Sequence, residues 1–159
     1  RIVDIISEKK RIYVYGKGSS GLAALEMKLR FMRIGVTIEA ITDVDIMKMN
    51  SVLLDGECAA IGISVSGRTE AVIHSLQSAK KCGAAVILMT SHIEKKFQNF
   101  CDEIMLFAVK ANLEKGKAIS PQFPILVMVD IIYSRMLRMD DFRRETLHEY
   151  TLEVLERDS

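Results

Sequence analysis

The sequence lacks the features that mark several large classes of protein. No apolar run approaches the roughly 20 residues that a membrane-spanning helix needs, and no signal peptide is recognisable. The formal net charge is only +1, and lysine and arginine cluster no further than short pairs, so the basic surface that nucleic-acid binding requires is missing. We therefore expect a cytoplasmic protein that contacts no membrane and does not by itself bind DNA.

Metal and disulfide signatures are also missing. The chain has an odd number of cysteines, which lack metal-type spacing and lie in or beside apolar runs: Cys58, Cys82 and Cys101. They are expected to be buried free thiols in a reducing compartment. The histidines, His74, His92 and His148, form no spaced pair with another ligand-type residue. We expect no metal and no other cofactor.

What the sequence does contain is an ordinary globular composition over 159 residues, 49% of them hydrophobic and 27% charged. Residues 1–159 fit one domain of common size. The chain starts at Arg1 instead of a methionine, with a helix-like segment through Lys10 already under way. We expect it to be a fragment of a longer protein.

Apolar or β-branched runs alternate with segments of helical spacing. The five strand candidates are Ile12 to Tyr15, Val36 to Ile41, Ala59 to Ile63, Ala85 to Met89 and Ile104 to Ala108. The helical spacing between them is carried by Leu22, Leu25, Leu29 and Met32, then more weakly by Val44, Met47 and Val52, then by Val72, Leu76 and Ala79. This rhythm predicts an α/β protein with a parallel sheet covered on both faces.

Two further helices are predicted towards the end of the chain. Phe123 to Leu137 is a long apolar helix candidate that begins near Pro121 or Pro124. From Asp140 onward a charged segment carries an apolar stripe that includes Phe142, Leu147, Tyr150 and Val154. The stripe fits a closing helix docked on this domain and a helix paired with another subunit equally well.

Two turns rich in glycine and hydroxyl groups each follow an apolar run and open a helix-like stretch. They are Gly16-Lys17-Gly18-Ser19-Ser20-Gly21 and Ser64-Val65-Ser66-Gly67-Arg68-Thr69. A helix N-terminus exposes backbone N–H groups without intrahelical partners and carries about half a positive charge, so both turns invite an anion. In a doubly wound sheet, ligands bind at the carboxyl ends of strands where the strand order reverses. We expect both turns to converge there on one small anion.

Two other interpretations compete with this one. Gly16, Gly18 and Gly21 match the spacing of a dinucleotide-binding turn, with Glu39 as the acidic residue for a ribose hydroxyl. A dinucleotide-binding site does not require a second turn rich in hydroxyl groups. Taken alone, the second turn fits simple helix capping, since Ser and Thr are favoured N-caps.

The paired turns resemble the sugar isomerase, or SIS, domain, together with three further segments: Leu29 to Gly35, Ala79 to Ala84 and Leu88-Met89-Thr90. The chain is most similar to the ligand-binding domain of RpiR-type transcriptional regulators. The resemblance implies a flavodoxin-like three-layer sandwich with a five-stranded parallel sheet and a phosphorylated sugar or amino sugar as ligand. It assigns ligand binding to Gly18, Ser19, Ser20, Ser64, Ser66, Gly67 and Thr69. RpiR-type regulators carry a helix-turn-helix domain ahead of this one, and the start at Arg1 is consistent with its absence here.

Two positions depart from the family pattern. Arg68 stands where many relatives have an acidic residue, and it either adds an anion contact or faces solvent. Residues 119–122 stand where relatives more often have Ser-Arg, which puts sugar contacts there in doubt.

We interpret the chain as a sensor with no catalytic residues that passes ligand occupancy to a DNA-binding domain. The alternative is an aldose–ketose phosphosugar isomerase that uses Glu114 or an unrecognised base. Glu114 and Lys115 precede the last long helix and are candidates to approach the sugar, and Glu70 opens the helix that contains Val72. Lys17 either contacts phosphate or sugar or faces solvent. The long apolar helix and the amphipathic tail predict a homodimer, or a tetramer built from dimers.

Overall fold

Helices and strands alternate along the chain in the computed structural model, which describes residues 1–108, 120, 122–139 and 142–157. The strands are β1 (Arg11–Gly16), β2 (Ile38–Ile41), β3 (Cys58–Ile63), β4 (Ala85–Thr90) and β5 (Glu103–Leu106). The helices are α1 (Ile2–Glu8), α2 (Ser19–Met32), α3 (Val44–Ser51), α4 (Glu70–Lys81), α5 (Gln122–Met139) and α6 (Arg143–Arg157). A short 3-10 helix, Lys95–Asn99, precedes β5. All five predicted strands are present.

The strands form one parallel sheet in the order β2-β1-β3-β4-β5. This is the predicted flavodoxin-like order. Every residue of β3 is buried, and the three central strands are nearly continuous apolar runs because helices cover both of their faces. The chain moves outward from β1 to β2 and then returns to β3, so the strand order reverses between β1 and β3.

Two apolar cores lie on opposite faces of the sheet. One packs α1, α2 and α5 against it, with Phe31, Met27 and Val129 among its fully buried side chains. The other packs α3, α4 and the 3-10 helix, with Leu76 and Phe97 at its centre. The molecule is therefore a three-layer sandwich. Among the described helices, none is long and apolar enough to cross a membrane.

The apolar stripe that predicts α2 does not face the core. Leu22, Leu25, Leu29 and Met32 are 42–59% exposed. The opposite face of the helix, which carries Ala23, Ala24, Met27 and Phe31, packs on the sheet instead. Small residues allow the close approach of helix to sheet, and the larger leucines remain outside.

The cysteine prediction is partly wrong. All three are free, as expected, but only Cys58 is fully buried. Cys82 lies near the end of α4 and Cys101 just before β5, and both are half-buried. Burial raises the pKa of the Cys101 thiol to about 12. That thiol is therefore in its protonated, less reactive form at neutral pH.

Candidate functional site

The two glycine-rich turns lie side by side. Gly16, the last residue of β1, pairs across the sheet with Ile63, the last residue of β3. Each turn continues directly from one member of this pair. Both therefore emerge at the carboxyl edge of the sheet, at the point where the strand order reverses, as the sequence predicts.

The helices that follow these turns begin without a capping side chain. Gly18 is the N-cap of α2 and Thr69 the N-cap of α4, and neither residue's side chain accepts a hydrogen bond from the helix. The neighbouring helix α3 differs, because the Asp43 carboxylate accepts bonds from the N–H groups of Asp45 and Ile46. The two helices that open at the reversal point thus leave first-turn N–H groups available to an anion.

The second turn is held together by its own hydroxyl groups. Ser64 is buried, and its hydroxyl donates to Thr69 Oγ1 at 3.0 Å while accepting from the Thr69 N–H at 3.3 Å. Since Thr69 Oγ1 acts as acceptor in this bond, the Thr69 O–H is left to donate elsewhere. Ser64 therefore positions Thr69.

Ser66 and Gly67 form the tip of the second turn. The exposed Ser66 hydroxyl accepts from the Arg68 N–H at 3.2 Å, which again leaves its O–H free to donate. Gly67 has a φ of +66° and its N–H donates to the Ser64 carbonyl oxygen at 3.0 Å. A Cβ at Gly67 would lie 2.8 Å from Phe97 Cζ, so this position needs glycine for both conformation and space.

Side chains at the end of β4 support the second turn, a role that no local sequence pattern indicates. The Val65 carbonyl accepts from the Ser91 hydroxyl at 2.7 Å, from the Ser91 N–H at 3.0 Å and from Thr90 Oγ1 at 3.3 Å. His92 Nδ1 lies 2.8 Å from Ser91 Oγ. Both hydroxyl groups bond a carbonyl that lies 25 or 26 residues earlier in the chain, so the adjacent Thr and Ser do not by themselves reveal this contact.

The first turn is built by close packing of backbone. A Cβ on Gly16 would lie 2.5 Å from the Ser20 carbonyl oxygen, and one on Gly21 would lie 3.0 Å from the Gly16 carbonyl oxygen. Gly18 has a φ of +58° and open space around it. Ser19 is exposed, and neither its hydroxyl nor that of Ser20 makes a hydrogen bond to the described part of the chain.

The start of α5 also lies at this edge. Gln122 Nε2 donates to the carbonyl oxygen of Ser19 at 3.2 Å, and the Gln122 N–H donates to Ser120 Oγ at 3.2 Å. Gln122 thus brings the first residue of α5 into contact with the first turn. Sequence reasoning did not assign this residue a role.

Arg68 projects from the second turn towards the 3-10 helix. Its side chain is 79% exposed, and its Nε lies 3.9 Å from Glu94 Oε1. Glu94 bonds more closely to Lys96, at 2.7 Å, and this hydrogen bond, followed by the nearby charges of Lys96, Arg68 and His92, holds the pKa of the Glu94 carboxyl below its usual range. Arg68 therefore adds an exposed positive charge beside the second turn, with one long contact to Glu94.

Glu39, the acidic residue of the dinucleotide interpretation, is bonded to a lysine of α2. Glu39 pairs with Tyr13 inside the sheet, two residues before the end of β2, and its carboxylate accepts from Lys28 Nζ of α2 at 2.8 Å. Lys17 is exposed in the first turn. Glu114 and Lys115, the candidate acid–base residues of the isomerase alternative, lie outside the described residues.

The remaining candidate side chains lie on helices α4 and α6. His74 is exposed on α4, and Glu70 is exposed at its start. His148 lies on α6, where its Nδ1 is 2.6 Å from the Tyr133 hydroxyl of α5.

Comparison with known proteins identifies relatives for nearly the whole chain. The model of the SIS domain family matches residues 5–129. An uncharacterised HTH-type transcriptional regulator of Haemophilus influenzae is 27% identical over 97% of this chain and 54% of its own length. The HTH-type transcriptional regulator RpiR of Escherichia coli K12 is 27% identical over 80% of this chain and 43% of its own length. The chain thus spans about half the length of the relatives it matches.

Solved structures share the fold. The Vibrio vulnificus NanR protein complexed with ManNAc-6P superposes with a TM-score of 0.89 at 22% identity, over 100% of this chain and 60% of that one. The sugar isomerase domain of an RpiR transcription factor from Sphaerobacter thermophilus gives a TM-score of 0.79 at 16% identity, over 98% and 83%.

Proposed function

Since this chain belongs to the SIS domain family, we propose that it is the phosphosugar-binding sensor domain of an RpiR-type transcriptional regulator. Occupancy of its site by a phosphorylated sugar or amino sugar controls a DNA-binding domain joined to it. The observation that carries the proposal is the pair of uncapped helices, α2 and α4, which begin side by side where the strand order reverses.

The phosphate group occupies the second turn. The free O–H groups of Ser66 and Thr69 donate to its oxygens, together with first-turn N–H groups of α4. Ser64 and Gly67 shape the turn. The first turn contacts the rest of the ligand through Gly18, Ser19 and Ser20. The hydroxyl groups of these two serines have no described hydrogen-bond partner and can therefore orient towards the hydroxyl groups of a sugar.

Calorimetry with phosphosugars tests this assignment. The panel contains ManNAc-6P, arabinose 5-phosphate, glucosamine 6-phosphate and fructose 6-phosphate, each beside its unphosphorylated sugar. For the sugar phosphate that binds, Ser66→Ala removes one charge-assisted hydrogen bond and weakens binding by about 1.5 to 3 kcal/mol. Ser78→Ala on α4 is the matched control, because it deletes a hydroxyl away from both turns. Unchanged affinity in a folded Ser66→Ala, Thr69→Ala double variant would refute the assignment.

The sensor role means that the ligand is bound without being converted. The relatives that match most of this chain are transcriptional regulators, which supports this role. Incubating the bound phosphosugar with stoichiometric protein in deuterated water, followed by NMR, distinguishes the two functions. Deuterium entering next to the carbonyl, and lost in Glu114→Gln, would establish the isomerase alternative instead.

The sensor acts as a homodimer or as a tetramer of dimers. Two outward helix faces support this assembly: the apolar face of α2 described above and the face of α5 that exposes Phe123, Val127 and Ile131. Helix α6 has no fully buried residue, and Phe142 at its start is 86% exposed. Exposed apolar helix faces of this kind are characteristic of protein interfaces.

Sedimentation at micromolar concentration tests the assembly. We expect a species of twice the chain mass or more, and Leu25→Glu with Leu29→Glu should shift it towards monomer. Ile46→Glu with Met49→Glu is the matched control, because it places the same charges on the exposed apolar side of α3. A monomer of about 18 kDa with and without ligand would refute the assembly for this domain.

A further inference from the structure

A second polar cleft lies at the opposite end of the sheet from the two turns. Its volume is about 180 Å³. The cleft is formed where α1 ends, where α2 connects to β2 and where α6 begins. These segments meet at the amino ends of β1 and β2, so the cleft is separate from the site proposed above. Its lining residues are Ile6, Ser7, Lys9, Lys10, Ile34, Gly35, Val36, Thr37, Arg143, Arg144 and Leu147.

The described residues that line the cleft carry an excess of positive charge. Four of these lining residues are basic, and none of them is acidic. Two of the four are engaged at the rim, since Lys9 Nζ donates to the Gly56 carbonyl and Lys10 Nζ pairs with Glu57. The other two, on α6, make no ion pair within the described part of the chain.

Arg144 lines this cleft and has one unused donor among its guanidinium nitrogens. Its Nη2 donates to the Ser7 hydroxyl at 3.2 Å, whereas its Nη1 is buried with no hydrogen-bond partner among the described residues. A buried charged donor without an acceptor is unfavourable, and the described residues supply no acceptor for Arg144 Nη1. Ser7 acts as acceptor here and keeps its own O–H free, and Thr37 is a further lining residue with a hydroxyl group.

We propose that this cleft binds a phosphate group, either as the free ion or as part of a small phosphate ester. The Arg144 guanidinium and the Ser7 hydroxyl bind its oxygens, and Arg143 and Lys9 supply the surrounding positive charge. A cleft of about 180 Å³ has room for a phosphate group. The proposal does not depend on the function proposed for the two turns.

Occupancy has a structural consequence for α6. This helix has no fully buried residue and meets the body of the domain through few side chains, among them Arg144 on Ser7 and Leu147 against Gly35. A bound anion ties the first turn of α6 to the end of α1 and to the α2–β2 connection. The site therefore controls how firmly the exposed helix is held.

The test uses inorganic phosphate and glycerol phosphate, each titrated against chloride at matched ionic strength. The chain carries Ser66→Ala and Thr69→Ala, so that phosphate binding at the second turn is removed. We expect saturable NMR shifts of the Gly35, Val36 and Thr37 amides. Arg144→Met should weaken binding at least about tenfold, and Ser7→Ala about threefold.

Arg138→Met on α5 is the matched control, because it removes the same charge from a residue outside the cleft and should leave binding unchanged. Tighter binding of glycerol phosphate than of phosphate identifies the ester as the form recognised, and the reverse identifies the free ion.

Equal weakening by Arg138→Met, or amide shifts that do not saturate, overturns the site. If Arg144→Met does not fold, Ser7→Ala and Arg143→Met carry the same comparison. Persistent binding in the Ser66→Ala, Thr69→Ala background separates this result from failure of the proposed sugar site.

Discussion

The two glycine-rich turns occupy equivalent places in the fold but are built differently. The first is fixed at its ends, where Gly16 and Gly21 let the backbones of β1 and α2 come close, and its hydroxyls make no described hydrogen bond. The second is fixed along its length by Ser64 and by the three donors on the Val65 carbonyl. A turn fixed in advance suits a group of constant shape such as phosphate, whereas a free tip can adapt to a variable sugar.

The largest expected effect separates the ends of the first turn from its tip. Gly16→Ala would place a Cβ 2.5 Å from the Ser20 carbonyl oxygen, and because backbone must move we expect a loss of about 3 kcal/mol or more in the free energy of unfolding. Gly18→Ala meets no atom within 4 Å, and only its backbone conformation, with φ +58° and ψ −129°, is unfavourable for alanine, so we expect a smaller loss of about 1 to 3 kcal/mol.

Urea unfolding of both variants measures the difference. Gly56→Ala serves as a control, because its Cβ would have 3.9 Å to the nearest atom, and it has no positive φ. Equal losses for Gly16→Ala and Gly18→Ala would contradict the view that the first turn is held by its ends.

The next effect contrasts one serine from each turn. Ser64→Ala leaves the Thr69 N–H and Oγ1 without their partner in a buried setting, and we expect a loss of about 2 kcal/mol in stability. Ser19→Ala removes an exposed hydroxyl with no described hydrogen bond, so stability should change by less than about 0.5 kcal/mol.

Both variants are measured by thermal and urea unfolding and by phosphosugar calorimetry. Ser19→Ala should alter ligand affinity without altering stability. A similar stability loss in the two variants would mean that the turns are equally preorganised.

Much of the fold could be predicted because the sequence repeats one local pattern. The first three apolar runs are followed by glycine or hydroxyl residues and then by helical spacing, and this repeat is sufficient to predict a parallel sheet covered by helices. The uncapped start of α2 also follows from local sequence, since Gly18 has no side chain to accept a bond. Asp43, a favoured N-cap, marks the contrast at α3.

Two features could not be predicted from the sequence: which face of α2 packs on the sheet, and which distant residues support the second turn. Helix α2 has apolar residues on both faces, and helical spacing alone does not say whether Leu29 or Phe31 faces the sheet. The support of Val65 by Ser91 and the packing of Phe97 under Gly67 depend on how β4 and the 3-10 helix fold back over the second turn. No local pattern contains that information.

The smallest expected effect tests whether support from β4 matters to binding. Ser91→Ala removes the 2.7 Å bond to the Val65 carbonyl, but Thr90 and the Ser91 N–H still donate to that oxygen. We therefore expect a stability loss of only about 1 kcal/mol and phosphosugar binding that is weaker by about threefold. Calorimetry of Ser91→Ala beside Ser78→Ala measures this, since both delete one serine hydroxyl but only the first supports the turn. A loss above tenfold would mean that Ser91 contacts the ligand directly, and unchanged affinity would mean that the second turn keeps its shape without β4.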